Sequence, residues 1–397
     1  MFYELAASSW GSEETDALQT VIKSGFFTMG ENVAAFEKAF AAYFGKEYGV
    51  MVNSGSSANL IAVASLFYKQ DKPLKPGDEV IVPAISWATT YYPLMQYGLK
   101  LKFVDVDLAT LNMDCTQLES ALSDKTRMIV GVSVLGNPAP LDTMRQFADK
   151  HGLYFFEDNC ESMDAELKGK KTGTWGDLNT FSFFFSHHIS TMEGGMILTD
   201  DKELYELNYS LRSHGWTRGL PENSLLYDKK SDAFSEAYRF ILPGYNVRPT
   251  ELNAVVGLEQ LQKLPQMTEQ RRKNWHYFQS RFSGDSRFII QQENGNSSAF
   301  SFTIVLNPQI DIERSLIFEA LEDADIGYRM ITGGNFLRHD VIRYANYETV
   351  GEMNNANIAH DRGFFVGNHP YDLSSQIDRL YDVLDKTLNE LTLTEVE

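Results

Sequence analysis

Short, nearly all-apolar runs alternate with segments of helical period through the first half of the chain. The runs lie at residues 48–52, 79–85, 101–106, 128–134, 153–157, 180–185 and 196–199. Helical patterns follow several of them, at 57–68 and 141–151. An amphipathic helix precedes them at 31–45, with Val33, Phe36, Phe40 and Phe44 close to one face. Strands that are apolar on both faces and spaced by helices predict an α/β fold: a mainly parallel, seven-stranded sheet with helices on both faces. Ligands in such sheets sit at the carboxyl ends of strands.

The pattern changes near residue 250. A long helical stretch over 250–280 carries Arg271, Arg272 and Lys273, and Pro265 is expected to kink or break it. A strand at 300–306, a helix at 312–325 and a final helix at 374–391 follow. This predicts a large α/β domain with an N-terminal arm over 1–250, then a long linking helix and a smaller α+β domain over 251–397. The polar segment 219–235 reads as a surface loop.

The chain has 397 residues and a formal net charge of −19, which argues against a nucleic-acid partner, because phosphate neutralisation needs clustered Lys and Arg. No run of about 18 uncharged apolar residues is present, so no membrane-spanning helix is expected. The first residues lack a basic segment followed by an apolar one, so a cytoplasmic location is expected. Two cysteines, Cys115 and Cys160, cannot build a disulfide framework or a four-thiolate metal site, and no metal is expected.

Six segments carry candidate chemistry. Ser54-Gly55-Ser56-Ser57-Ala58-Asn59 follows a strand and opens a helix, where small residues let backbone N–H groups approach an anion. The plainer alternative is a helix start capped by Ser56 or Ser57. Glu157-Asp158-Asn159-Cys160-Glu161 ends an apolar run, and an Asp there can hold a ring nitrogen protonated. The segment from Thr180 through Ser182 to Met196 delivers His187 and His188 to a turn that ends in Gly194-Gly195. Adjacent side chains on extended backbone point oppositely, so one of the two histidines is expected to face a site. A histidine there is a competent general acid or base. Trp87, just after a strand, can stack on a planar ring or simply pack in the core. His214 and Arg218 form a fifth group, and Asn246 and Arg248 in the turn 244–249 a sixth. Both arginines offer a fork for a carboxylate, against the default of a surface role.

Taken together and in this order, these segments resemble the DegT/DnrJ/EryC1/StrS sugar aminotransferases, of the aspartate-aminotransferase-like fold (fold type I). The resemblance runs from Phe27-Thr28-Met29-Gly30 to Phe365-Val366-Gly367-Asn368-His369. It implies pyridoxal 5'-phosphate or pyridoxamine 5'-phosphate as cofactor. By it, Gly55 and Ser56 hold the phosphate with help from Ser182, and Trp87 stacks on the ring. Asp158 pairs with the ring nitrogen and Glu161 lies near the ring hydroxyl. Asn246 reaches the phosphate of a neighbouring subunit, which implies a homodimer with shared active sites. His214, Arg218 and Arg248 become candidates for binding L-glutamate or the sugar.

One departure decides the expected activity. Ordinary members of the family carry a Lys shortly before the Glu/Asp-Gly-Gly segment, and here His187 stands at that position. No Lys lies between Lys171 and Lys202, so a small slip of register restores none. Imidazole cannot form the usual covalent link to the cofactor, but it can move a proton. The exchange resembles the 3-dehydratase branch of the family. That branch implies 3-dehydration of GDP-4-keto-6-deoxy-D-mannose for lipopolysaccharide sugars, with glutamate as amino donor, His187 as base, and ammonia released with a 3-deoxy sugar. A related branch acting on CDP-sugars needs an iron–sulfur cluster, which two cysteines exclude. Two alternatives stand beside this. One is a net sugar transaminase, for example one making 8-amino-3,8-dideoxy-manno-octulosonate. The other is a non-catalytic protein that kept the fold, which the retained Asp158, Glu161, Trp87, Gly55 and Ser56 oppose.

Overall fold

The computed structural model describes residues 2–394. Its main sheet contains all seven apolar runs as strands: β1 (Tyr48–Val52), β2 (Glu79–Pro83), β3 (Lys100–Val104), β4 (Thr126–Val132) and β5 (Tyr154–Asp158). After a small hairpin of β6 (Glu166–Leu167) and β7 (Lys170–Lys171) come β8 (Leu178–Ser182) and β9 (Gly195–Thr199). A second antiparallel sheet holds β10 (Phe288–Ile290), β11 (Ser301–Leu306), β12 (Tyr328–Arg329) and β14 (Gly363–Gly367) in the order β10-β11-β14-β12.

The expected strand count is corrected from seven to eight. A late segment, β13 (Asn346–Val350), returns to the main sheet and pairs in parallel with β3. The order is β1-β9-β8-β5-β4-β2-β3-β13. A ladder of charges helps hold this edge: Glu348 on β13 meets Lys100 at 2.5 Å and Lys102 at 2.8 Å, and Glu79 on β2 meets both lysines at 3.2 Å. Only β9 runs against its neighbours. β1 and β8 therefore point the same way, and their carboxyl ends share one edge with those of β2, β4 and β5.

Helices Gly55–Phe67, Ala88–Gln96 and Lys202–Leu211 pack on one apolar layer of the sheet, and Leu141–His151 belongs to another. The helix Glu31–Tyr43 buries Val33, Phe36 and Phe40 against Phe181 and Phe183, as its periodicity requires. The expected break at Pro265 does not occur. A single helix runs from Glu251 to Phe282, started by a reciprocal capping box of Thr250 and Asn253. Its apolar stripe is buried along its whole length, and that packing outweighs the loss of one backbone hydrogen bond at the proline. The first half packs on Glu31–Tyr43 and the second half on the small sheet, so one rod carries both layers. The N-terminal arm is pinned to the small sheet: Tyr3 is buried and its hydroxyl donates to Gly367 O at 2.6 Å.

Candidate active site

A cavity of about 650 Å³ opens at the shared carboxyl edge of β1, β2, β4, β5 and β8. Its floor is the turn from β1 into the helix Gly55–Phe67. The helix cap is Ser54, not Ser56 or Ser57: Ser54 is extended, and its hydroxyl accepts the Ser57 N–H at 3.0 Å. The first-turn amides of Gly55 and Ser56 have no carbonyl of their own helix to bond, so the turn can accept an anion. Two glycines bring it close to the sheet. A Cβ on Gly55 would lie 2.6 Å from Ser182 Cβ, and one on Gly195 would lie 2.3 Å from Ser54 O. The Ser56 hydroxyl meets Thr89 at 3.1 Å, and Ser182 lies beside them.

Asp158, the last residue of β5, is buried at the back of the cavity. Its Oδ2 accepts from Asn59 Nδ2 at 2.8 Å and from Thr90 Oγ1 at 2.7 Å, and its Oδ1 accepts the Cys160 N–H at 3.2 Å. Trp87 precedes the helix Ala88–Gln96 and lines the cavity with 58% of its surface open, so a ring face is available for stacking. Glu161 accepts the Leu135 N–H at 3.1 Å. Leu135 holds a left-handed conformation, φ 51°, at that position. Burial pushes the Glu161 carboxyl up to about 8, the Leu135 amide opposes the shift, and the charge of Asp158 adds to it. The shift favours the protonated carboxyl, which can donate a hydrogen bond.

His187 and His188 diverge as alternation requires. His187 lines the cavity, while His188 is buried on the far side with its Nε2 donating to Ser298 O at 3.2 Å. Phe300 lies between them, its ring 5.3 Å from His187 and 5.5 Å from His188. A carbonyl only accepts, so the 2.6 Å contact of His187 Nδ1 with Cys160 O fixes the proton on Nδ1. Nε2 keeps its lone pair and has no protein partner among the described residues. Burial pushes the His187 imidazolium down to about 4, with Arg271 adding and the Cys160 carbonyl and Asp158 opposing. The ring is therefore a neutral base.

The opposite wall is built from the second sheet and the N-terminal arm: Phe300, Arg329, Met330, Phe365, Leu5 and Ala6. Sequence reading missed Arg329, the cation on this wall, because a two-residue strand leaves no periodic signal. His214, Arg218, Asn246 and Arg248 are all exposed and do not line the cavity of their own chain. Their segments lie side by side: Ser213 bridges Asn246, and Arg248 Nε donates to Asn246 Oδ1 at 3.0 Å. Arg218 covers the Trp216 ring at 5.2 Å.

The donor set fits pyridoxamine phosphate. The helix start with Ser56 and Ser182 suits a phosphate, the open Trp87 face suits a planar ring, and the buried Asp158 carboxylate suits a cationic nitrogen.

Residues 8–384 match the DegT/DnrJ/EryC1/StrS aminotransferase family. The chain is 49% identical over 97% of its length to GDP-4-keto-6-deoxy-D-mannose 3-dehydratase of Yersinia pseudotuberculosis, covering 98% of that protein. Its fold superposes with a TM-score of 0.95 on the E. coli GDP-4-keto-6-deoxy-D-mannose-3-dehydratase with bound hydrated PLP, at 46% identity over 97% of this chain and 100% of that one. A structure of GDP-4-keto-6-deoxymannose-3-dehydratase with a trapped PLP-glutamate geminal diamine gives 0.94 at 46% identity, over 96% and 100%. With its matched span, its sheet order and its site, the chain belongs to the DegT/DnrJ/EryC1/StrS aminotransferase family.

Proposed function

We propose that this protein is a pyridoxamine phosphate-dependent 3-dehydratase of GDP-4-keto-6-deoxy-D-mannose, with L-glutamate as amino donor. The observation that carries the reading is His187. It occupies the position of the family's lysine, its Nδ1 is tied to the Cys160 carbonyl, and its bare Nε2 lines the cavity. Among the described residues no lysine lines the cavity with it. When bound, pyridoxamine phosphate supplies an amine that condenses with the keto group and a cationic ring that takes up electrons.

The chain's own residues do the rest. The Gly55–Ser56 amides and Ser182 hold the phosphate. Trp87 fixes the ring plane, and Asp158 keeps the ring nitrogen protonated. Glu161 donates a hydrogen bond to the ring oxygen. His187 Nε2 would take a proton at the cofactor's methylene carbon and hand it to the departing C3 hydroxyl, which then leaves as water. With no lysine among the described residues of the cavity, no amine there competes for the cofactor's carbonyl. Arg329 offers a fork for the glutamate carboxylate.

The reading includes a homodimer in which His214, Arg218, Asn246 and Arg248, outside their own chain's cavity, serve the neighbour's. Asn246 there reaches the phosphate. It keeps the division into 1–250 and 251–397, with β13 assigned to the large sheet, and a cytoplasmic site of action. Among the described residues no helix is long and apolar enough to cross a membrane.

The test is incubation of the protein with pyridoxal phosphate, glutamate and GDP-4-keto-6-deoxymannose. Release of ammonia with a 3-deoxy sugar, identified by mass, is expected. An aminated sugar and no ammonia would replace this reading with the transaminase.

A further inference from the structure

Asn59 is a buried amide on an otherwise apolar helix face, 1% exposed among Ala58, Ile61 and Ala62. A buried amide is destabilising unless every polar atom is bonded. Here each is. Oδ1 accepts from Thr180 Oγ1 at 2.6 Å, and Nδ2 donates to Asp158 Oδ2 at 2.8 Å and to Thr89 O at 3.3 Å. The Thr89 carbonyl can only accept, so it fixes which end of the amide is NH2; that end also faces Asp158, and the amide oxygen takes the Thr180 hydroxyl.

The second donor is fixed in the same way. Thr90 gives its only hydroxyl proton to Asp158 Oδ2, so in the 2.7 Å pair between Ser86 and Thr90 the Ser86 hydroxyl donates. Two chains of donors, Thr180 to Asn59 and Ser86 to Thr90, thus end on one carboxylate oxygen. All five residues are buried, at most 5% exposed. The other oxygen, Oδ1, accepts the Cys160 amide at 3.2 Å, and the Asp158 carboxylate lines the cavity.

We infer that Asn59 and Thr90 are positioning residues of the reaction: they clamp Oδ2 of Asp158 with two donated hydrogen bonds and leave Oδ1 to receive the ring nitrogen of the cofactor. This rests on the proposed cofactor and deepens its site. Two hydrogen bonds donated to one oxygen favour the charged form of a carboxylate. Titratable groups facing Asp158 are Cys160 and Glu161 from its own loop, Tyr91 from the helix Ala88–Gln96, and His187 from the turn before β9.

The experiment measures pyridoxamine phosphate affinity from pH 5 to 9 for wild type, Asn59→Ala, Thr90→Val, Thr90→Ser and Asp158→Asn. The relevant signal is the part of the acid-side loss of affinity that Asp158→Asn abolishes. Each lost hydrogen bond to the carboxylate is expected to move that limb up by about one to two pH units. Thr90→Ser, which keeps the hydroxyl, is expected to leave it in place. A merely structural role would weaken binding equally at every pH, and a limb that stays put in Asn59→Ala and Thr90→Val overturns the clamp alone. If wild type shows no limb that Asp158→Asn removes, the assignment of Asp158 to the ring nitrogen falls, and the clamp with it.

Discussion

Replacing Gly195 by Ala tests how closely the anion-binding turn rests on the sheet. Gly195 begins β9, between Val52 of β1 and Ser182 of β8. An added Cβ would meet backbone: Ser54 O at 2.3 Å, Ser54 C at 2.5 Å and Gly55 N at 2.8 Å. A comfortable carbon–oxygen contact is about 3.3 Å, so the Ser54–Gly55 peptide must retreat by about 1 Å. Neither side yields easily, because Gly195 is paired to two strands and Ser54 caps a buried helix. Overpacking of this kind costs about 1–3 kcal/mol of stability. Misaligned amides lose a charge-assisted hydrogen bond to phosphate, a further loss of about 10- to 100-fold in affinity. The assay is urea denaturation together with fluorescence titration of pyridoxamine phosphate. The control is Gly284→Ala, where a Cβ meets open space. If the two variants share the same urea midpoint and the same affinity, the close-approach argument is refuted.

Other predictions follow from buried charge and from the two perturbed groups of the site. Arg212 is 1% exposed, pairs with Glu37 and donates to Met51 O at 2.6 Å. Arg212→Met is expected to cost about 3–5 kcal/mol in urea denaturation, because Glu37 is left without its cation. Adding Glu37→Leu is expected to recover most of that. Glu161 titrates near 8 in the fold, above the ordinary carboxyl range, so the folded state holds a proton that the unfolded chain has lost. Stability from this group is fully present below pH 4.5 and falls as pH rises through about 8. Glu161→Gln, neutral throughout, is expected to flatten the decline measured from pH 5 to 9. His187→Asn is expected to keep cofactor affinity while slowing the glutamate half-reaction at least about 100-fold in single-turnover absorbance. An unimpaired rate would remove His187 from the proton transfer.

Seven strands of the main sheet were legible because each is largely buried and reads as a nearly all-apolar run. β13 was not, because Asn346–Val350 lies at a sheet edge with its side chains mostly exposed, and its sequence carries neither alternation nor an apolar run. Helix Ala88–Gln96 was hidden behind its aromatic residues and Pro93. Within the site, Asp158 and His187 stood out because they end or follow apolar strands, where topology puts ligands. Asn59 and Thr90 did not. Their polar atoms are satisfied by residues far along the chain, and a polar position inside a helix gives no sign of what it faces. The pairing of the segments around His214 and Asn246 depends likewise on distant backbone contact, which no local pattern reports.

The return of β13 to the main sheet has a consequence for how the chain is assembled during synthesis. β1 to β9 are complete by residue 199, yet the outer edge of β3 stays open until residues 346–350 have been made and docked. For that interval a twisted parallel sheet presents unpaired backbone groups along β3, which is the surface through which partly made chains join edge to edge. Glu348 closes that edge with a carboxylate between two lysines. Lys100 and Lys102 give the waiting edge a positive charge, a feature that discourages pairing with another copy of itself until the acidic strand arrives.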